Sequence, residues 1–146
     1  MTNISLQPVN ADNYWDVISL TVAEDQKEFV LDNAVSIGQA YVQQELVPLA
    51  IVRDGTPVGF IMYCLDRDDH EYWIYRLMVD QRFQGQGIGR EAMAQALARI
   101  RQDEAHRCVY LDVHLESQRA VKLYERCGFR FTGQVAGRSH IMRLDW

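Results

Sequence analysis

The sequence predicts an α/β (α+β) fold with a mixed, mostly antiparallel central sheet and helices on both of its faces. Two patterns indicate this fold class. Three closely spaced apolar segments in the middle of the chain have the period and the turn residues of an antiparallel meander. In the second half, strand-like and helix-like segments alternate, which is typical of a parallel crossover. The length of 146 residues predicts one domain over 1–146 with a core of its own.

The first 45 residues are predicted to form one strand followed by three helical segments. In two of these segments a polar residue that can cap a helix precedes apolar residues at helical spacing. Asn10 or Asp12 is the expected cap of the first helix, and the Ser36 hydroxyl is the expected cap of the third. The predicted elements are a strand at 4–8 and helices at 11–21, 24–30 and 37–45.

The middle of the chain is predicted to form the meander. Asp54-Gly55-Thr56-Pro57 has the chemistry of a turn, so the strands at 49–52 and 58–65 are expected to pair as a hairpin. Residues 72–79, YWIYRLMV, are rich in aromatic and β-branched residues and predict a third strand. A glycine-rich loop at 80–89 follows this strand.

The second half is predicted to contain two helices that alternate with strands. A long helix ends near residue 102, a strand spans 108–114, and a helix spans 117–127 with Ser117 as its cap and Gly128 as its left-handed C-terminal residue. Segments 129–135 and 139–144 close the chain as a strand pair, a candidate surface for a homodimer. The apolar stripe predicted on the long helix consists of Ile88, Ala92, Met93, Ala96, Leu97 and Ile100.

The composition excludes several classes of protein. Apolar residues make up 48% and charged residues 24% of the chain, a balance typical of globular proteins. The net charge of −5 argues against a nucleic-acid partner. We expect no membrane association and a cytoplasmic protein, because no apolar run approaches about 20 residues and no secretory signal is visible. Cys64, Cys108 and Cys127 form no C-x-x-C pair, so neither a disulfide framework nor a metal site is predicted.

The glycine-rich loop predicts an anion site. Gly85, Gly87 and Gly89 let backbone amides approach a ligand, and the first amides of the following helix point outward at the positive end of its dipole. A phosphate or pyrophosphate suits such a site. The loop lacks the Gly-Lys pair of a Walker A motif, and Arg90 stands where a dinucleotide fingerprint has its third glycine. From the glycines alone, a tight turn without a ligand is the alternative.

Two motifs in order carry a resemblance to a known family. Gln84-Gly85-Gln86-Gly87-Ile88-Gly89 fits the pattern Q/R-x-x-G-x-G/A, and residues 120–129, AVKLYERCGF, fit A-x-x-L-Y-x-x-x-G-F. The sequence therefore resembles the GNAT superfamily of acyl-CoA-dependent N-acyltransferases, which implies a splayed parallel crossover in the sheet and acetyl-CoA as cosubstrate, without a metal. Ser117 stands where the family often has an Asn that contacts pantetheine. The cofactor-binding residues that the resemblance implies are Leu77, Met78, Val79, Gln84, Gly85, Gln86, Gly87, Ile88, Gly89, Arg90, Ser117 and Arg126.

A narrower resemblance concerns the acceptor. Segments 24–30, 33–36 and 72–80 look like the diamine and spermine/spermidine acetyltransferase branch. This implies direct transfer of an acetyl group from acetyl-CoA to a primary amine of a small polyamine or diamine. Acetylation of a protein N-terminus or lysine is one alternative, and a CoA-binding module without turnover is another.

The reaction that the resemblance implies assigns roles to a few side chains. Tyr124 is the expected general acid, because a phenol is protonated at neutral pH and the family's motif tyrosine often has this role. A backbone N–H around Met78 or Val79 is the expected oxyanion donor. Glu71 and His114 are the side chains considered for the general base, and ordered water is the third candidate. Both also fit a solvated or structural role.

Acidic residues are the expected partners of a polycationic acceptor. A carboxylate can hold a second ammonium group, and the net negative charge of the chain would favour a polycation on the acceptor side. The candidates are Asp66, Asp68, Asp69 and Glu71 between two strands, and Glu24, Asp25 and Glu28 in the first half.

Overall fold

A computed structural model describes residues 3–146 and shows seven strands and four α-helices with two short 3-10 turns. The strands are β1 (Ile4–Pro8), β2 (Val47–Arg53), β3 (Thr56–Leu65), β4 (Tyr72–Val79), β5 (Cys108–His114), β6 (Arg130–Ala136) and β7 (Ser139–Asp145). The helices are α1 (Tyr14–Ser19), α2 (Asn33–Val42), α3 (Ile88–Arg101) and α4 (Gln118–Cys127), and the 3-10 turns are Glu24–Gln26 and Gln81–Phe83. Among these residues no helix is both long enough and apolar enough to span a bilayer.

The strands form one mixed sheet in the order β1-β2-β3-β4-β5-β7-β6. Strands β1 to β4 are antiparallel neighbours, β4 and β5 are parallel, and β5, β7 and β6 are again antiparallel. This arrangement confirms the predicted fold class. The β2–β3 hairpin turns at Asp54 and Gly55, whose φ angles of 51° and 84° fit a type I′ turn. Because two residues complete this turn, β3 already begins at Thr56.

The sheet is covered on both faces, as predicted. Alternate residues of the strands point to opposite faces, so Phe60 and Met62 pack with α1 while Ile61 packs with α3. All six residues of the predicted apolar stripe on α3 are buried. Gly128 ends α4 in the left-handed conformation, with φ 105°. The exposed strand β6 lies at one edge of the sheet, and a homodimer through it stays a prediction that the mass of the protein in solution would decide.

The predicted helical boundaries in the first 45 residues are partly wrong. Ser36 does not cap a helix, because α2 already begins at Asn33 and Ser36 is fully buried inside it. The side-chain amide of Asn33 donates a hydrogen bond to the Val17 carbonyl over 2.9 Å, which connects the first turn of α2 to α1. The first helix begins at Tyr14, and the Asn10 side chain accepts from loop amides before it. Of the predicted helix at 24–30, only the 3-10 turn is helical.

The parallel pair of strands opens into a cleft. Strand β4 pairs with β5 only from Tyr72 to Ile74, opposite Val109 to Leu111. Beyond Ile74 the two strands diverge, because β4 continues along β3 while β5 continues along β7. A register shift between β3 and β4 lies at the same level. The splayed crossover that the resemblance implied is therefore present, and it creates the space for a functional site.

Asp80 holds the end of β4 in place. Its carboxylate is buried and accepts hydrogen bonds from the Thr21 N–H at 3.0 Å, the Arg82 N–H at 3.0 Å and the Arg82 Nε at 2.8 Å. Burial alone raises the pKa of the Asp80 carboxyl, but these hydrogen bonds outweigh it and hold the pKa below its usual value of 3.8. The folded state therefore favours the charged form of Asp80.

Asp80→Asn is expected to lower the free energy of unfolding by about 1–3 kcal/mol at pH 7, since hydrogen bonds to a buried charge are lost. The folded-state pKa is depressed, so this stability is present above the unfolded-state pKa of about 3.9 and disappears as pH falls through the folded-state value. Urea denaturation at pH 7, 5 and 3.5 measures the effect, and the gap to the wild type should narrow at the lowest pH. Asp12→Asn, an exposed substitution, is the control, and an equal loss in both variants would contradict the assignment.

Candidate active site

A cavity of about 480 Å³ lies beside the end of β4, beyond its last pair with β5. It is bounded by the end of β4, the glycine-rich loop and the face of α4 that runs from Arg119 to Arg126. Of the twelve residues that the resemblance implied for the cofactor, all but Gln86 line it: Leu77, Met78, Val79, Gln84, Gly85, Gly87, Ile88, Gly89, Arg90, Ser117 and Arg126. The side chain of Gln86 instead accepts a hydrogen bond from Arg53, outside the cavity.

The glycine-rich loop presents backbone donors to this cavity. Gly85 and Gly87 both have φ of 79°, a conformation that side chains rarely adopt. Gly87 directly precedes α3, whose first amides, those of Ile88 and Gly89, have no acceptor among residues 3–146. Free amides at the positive end of a 14-residue helix are well suited to bind a diphosphate.

The last residues of β4 present their backbone alternately to β3 and to the cleft. The Asp80 N–H donates to the Val58 carbonyl over 2.8 Å, and a Cβ added to Gly59 would lie 2.5 Å from the Met78 carbonyl oxygen. The backbone groups of Met78 and Asp80 therefore face β3, and those of Leu77 and Val79 face the cleft. Of the two amides predicted for the oxyanion, the Val79 amide faces the cleft.

Gln84 links the loop to two other parts of the cavity wall. Its side-chain nitrogen donates to the Val79 carbonyl at 3.0 Å and to Gln26 Oε1 at 2.9 Å, and its oxygen accepts from Arg119 at 2.7 Å. Sequence reasoning missed Gln26 and Arg119, because only the fold brings these distant positions together. The other lining residues that it missed are Val22, Val30, Phe83, Ala120 and Leu123.

Tyr124 lies where this cavity meets a second one. Its side chain is only 9% exposed, packs edge-on against Phe129 and lines both cavities. Burial raises the pKa of the Tyr124 phenol, and the negative charge of Asp112 adds to this effect. The hydroxyl is therefore protonated at neutral pH, and it has no hydrogen-bond partner among residues 3–146. It is free to donate to a ligand.

The second cavity, of about 320 Å³, lies on the side of the sheet that faces α2. It is lined by the segment 27–31, by Tyr75 and Arg76 of β4, and by Asp112 and His114 of β5. The His114 ring packs against the Phe29 ring, with 5.4 Å between their centroids. Lys27, Arg76, Glu28 and Asp112 make this lining formally neutral.

The sequence profile of the acetyltransferase (GNAT) family matches residues 12–129. The chain belongs to the acetyltransferase (GNAT) family. It is 27% identical over 141 residues to a spermine/spermidine N(1)-acetyltransferase of Bacillus subtilis, with 91% of each chain covered.

Solved GNAT structures have the same fold. The PaiA N-acetyltransferase of Thermoplasma acidophilum, crystallised with coenzyme A, matches with a TM-score of 0.75 at 15% identity over 99% of both chains. The spermidine N-acetyltransferase of Vibrio cholerae, crystallised with CoA and spermine, matches with a TM-score of 0.73 at 16% identity, covering 96% of this chain and 92% of that chain. The splayed sheet of this GNAT chain therefore follows the architecture of its family.

Glu71, considered for the general base, lies away from both cavities of this GNAT domain. It lies directly before β4 and lines neither cavity. Its carboxylate accepts from the Cys108 thiol over 3.5 Å. The structure therefore does not bring Glu71 into either cavity. His114 lines the second cavity, and its role as the general base stays a prediction.

Most of the acidic residues that were predicted to bind the acceptor also line neither cavity. Asp66 accepts from the Tyr75 hydroxyl at 2.7 Å and Asp69 accepts from Trp73 Nε1 at 2.8 Å, so these carboxylates stabilise the loop before β4. Of the seven acidic residues predicted, only Glu28 lines the second cavity. Asp112, which sequence reasoning missed, lines it as well. Among residues 3–146 no cluster of His, Cys, Asp or Glu is arranged to hold a metal ion.

Proposed function

We propose that this acetyltransferase transfers an acetyl group from acetyl-CoA to a primary amine of a small diamine or polyamine. The observation that carries the proposal is the junction at Tyr124, where a cavity with an anion-binding loop meets a second cavity with carboxylates in its wall. A cosubstrate bound in the first cavity and an amine bound in the second would meet at this residue.

The first cavity fits acetyl-CoA by its chemistry. The free amides at the start of α3 suit the pyrophosphate, and Arg90 and Arg126 supply positive charge beside them. The cleft-facing backbone of Leu77 can pair with an amide of a pantetheine arm, in the manner of an added strand. Ser117 lines the cavity where the family often has Asn, and it offers a shorter polar group.

In the proposed reaction, residues of both cavities have a role. Acetyl-CoA, when bound, supplies the thioester: the amine nitrogen forms a bond to its acyl carbon, and the bond from that carbon to sulfur breaks. The Val79 N–H stabilises the charge that develops on the acyl oxygen. Tyr124 donates its proton to the departing sulfur. The proton that the amine loses goes to His114 or to water, and solvent then restores Tyr124.

The acceptor class is supported by relatives and by the second cavity. The Bacillus subtilis relative is a spermine/spermidine N(1)-acetyltransferase, and the Vibrio cholerae enzyme was crystallised with spermine. A volume of about 320 Å³ lies in the range of small-molecule sites. Glu28 and Asp112 provide two carboxylates for cationic groups.

Thiol release from acetyl-CoA tests the proposal directly. We expect release that depends on the amine and is fastest with 1,4-diaminobutane, spermidine or spermine, and mass spectrometry should show an acetylated amine. A lysine-containing peptide and a reaction without amine are the controls. If no amine in the panel stimulates release, the proposed activity is wrong. If the peptide is the best acceptor, protein acetylation replaces it.

A further inference from the structure

We propose that Asp112 binds the second, non-reacting ammonium group of the acceptor and so makes the enzyme prefer diamines over monoamines. This inference rests on the proposed function and assigns a specificity-determining residue to it. It follows from three observations. Asp112 lies at the cleft, its carboxylate has no ion-pair partner among the described residues, and the opposite wall carries the positive charge of Arg76.

Asp112 is the first residue of β5 beyond its last pair with β4, which joins Leu111 to Ile74. Leu111 and Val113 are buried in the core on the α3 side of the sheet. Since side chains alternate along a strand, Asp112 points to the opposite face and lines the second cavity. It therefore stands at the narrow end of the cleft, on the acceptor side.

The Asp112 carboxylate is free for a ligand. It forms no ion pair with any Lys, Arg or His among residues 3–146, and its residue is exposed. Its negative charge nevertheless reaches two residues of the site: it adds to the burial that raises the pKa of Tyr124, and it partly offsets the burial that lowers the pKa of Arg76. Asp112 and Tyr124 line the same cavity, so a short diamine whose reacting amine lies near Tyr124 can place its far end at Asp112.

Arg76 places a fixed positive charge on the opposite wall of the cleft. Its guanidinium donates to the Tyr75 carbonyl at 2.8 Å and to Gln39 Oε1 at 2.9 Å, and its buried Nε has no partner among the described residues. Both acceptors are neutral, and Arg76 forms no ion pair with a carboxylate of residues 3–146, although the charge of Asp112 acts on it from across the cavity. A nearby cation disfavours an ammonium group, so an amine near β4 is driven toward its neutral, nucleophilic form.

The opposite charges on the two walls therefore orient the acceptor in the cavity. The neutral amine lies near β4, whose Val79 amide faces the cleft, and the ammonium group lies against Asp112 on β5. Glu28 is on the outer segment of the second cavity, and Lys27 beside it already pairs with Glu24 at 2.7 Å. The charged and titratable groups that face this cavity are Lys27, Glu28, Tyr75, Arg76, Asp112, His114 and Tyr124.

The test compares 1,4-diaminobutane with butylamine, which has the same chain length and one amine. We expect Asp112→Asn to raise KM for the diamine about tenfold or more, because a charge-assisted hydrogen bond is lost, with little change in kcat. KM for butylamine should stay the same, so that the preference for the diamine disappears. Asp112→Glu should restore part of the preference for the diamine.

Glu116→Gln is the matched control, since Glu116 follows β5 closely, pairs with Arg138 at 3.6 Å and lines neither cavity. Melting temperature and acetyl-CoA affinity of each variant show whether the fold is intact. Equal losses with both amines, or no loss with the diamine, would overturn the role of Asp112. A wild-type enzyme that acetylates neither amine would instead overturn the proposed function itself.

Discussion

Tyr124→Phe is expected to lower kcat by about a hundredfold or more, while the dissociation constant for acetyl-CoA changes little. Phenylalanine keeps the ring that packs against Phe129 and removes only the hydroxyl. That hydroxyl has no partner among residues 3–146, so its loss leaves no other polar group unsatisfied. The substitution therefore removes the donor to the departing sulfur and leaves the walls of both cavities in place.

The pH dependence of kcat gives a second measure of Tyr124. Burial raises the pKa of its phenol above the ordinary value of 10.0, so the proton is retained up to at least that pH. We expect kcat of the wild type to rise as the acceptor amine loses its proton, with no fall caused by Tyr124 below about pH 10. A descending limb near neutrality that disappears in the Phe variant would contradict the raised pKa.

Tyr110→Phe is the matched control for the Tyr124 substitution. The Tyr110 hydroxyl accepts from Arg143 at 2.8 Å, and Tyr110 lines neither cavity. Single-turnover rates and isothermal titration with acetyl-CoA separate the chemical step from binding. If Tyr124→Phe retains the turnover of the control, another group donates to sulfur.

The cavity proposed for the cosubstrate could be predicted from the sequence because its structure is local. An anion site built from consecutive amides needs only glycines in a loop and a helix behind them, and both are visible between Gln84 and Arg90. The placement of Tyr124 followed from its motif in the same way. The structure adds one refinement, since the alternation of β4 shows that the Val79 backbone faces the cleft and the Met78 backbone faces β3.

The cavity proposed for the acceptor could be predicted only in part. Segments 24–30 and 72–80, which carry the narrower resemblance, supply part of its wall, but Asp112 is an isolated acidic residue in the apolar strand β5, and no local pattern marks it. The acidic run before β4 was the more visible signal, yet tyrosine and tryptophan donors bind its carboxylates at the far end of the strand. Ser36 is not a cap because α2 begins three residues earlier, at Asn33, whose side chain bonds to α1, a contact that no local pattern marks.

The geometry of the cleft depends on a glycine outside it, and Gly59→Ala is expected to lower both stability and activity. Gly59 lies in β3 opposite Val79, and an added Cβ would lie 2.5 Å from the Met78 carbonyl oxygen and 3.0 Å from Ile51 Cδ1. The nearer atom belongs to the backbone, so the strain can be relieved only if β4 moves away from β3. We expect a loss of about 1–3 kcal/mol in the free energy of unfolding, the usual range for overpacking a core.

Movement of β4 would also displace the Val79 amide and the wall that carries Arg76, so kcat should fall further than acetyl-CoA affinity. Urea denaturation gives the stability, and initial rates at saturating acetyl-CoA give kcat. Gly38→Ala is the control, because Gly38 lies in α2 and an added Cβ there would meet no atom of the described residues within 4 Å outside the helix's own backbone, and alanine there should stabilise the helix by about 0.5–1 kcal/mol. A Gly59→Ala protein as stable and active as the wild type would show that β3 and β4 do not need this close approach.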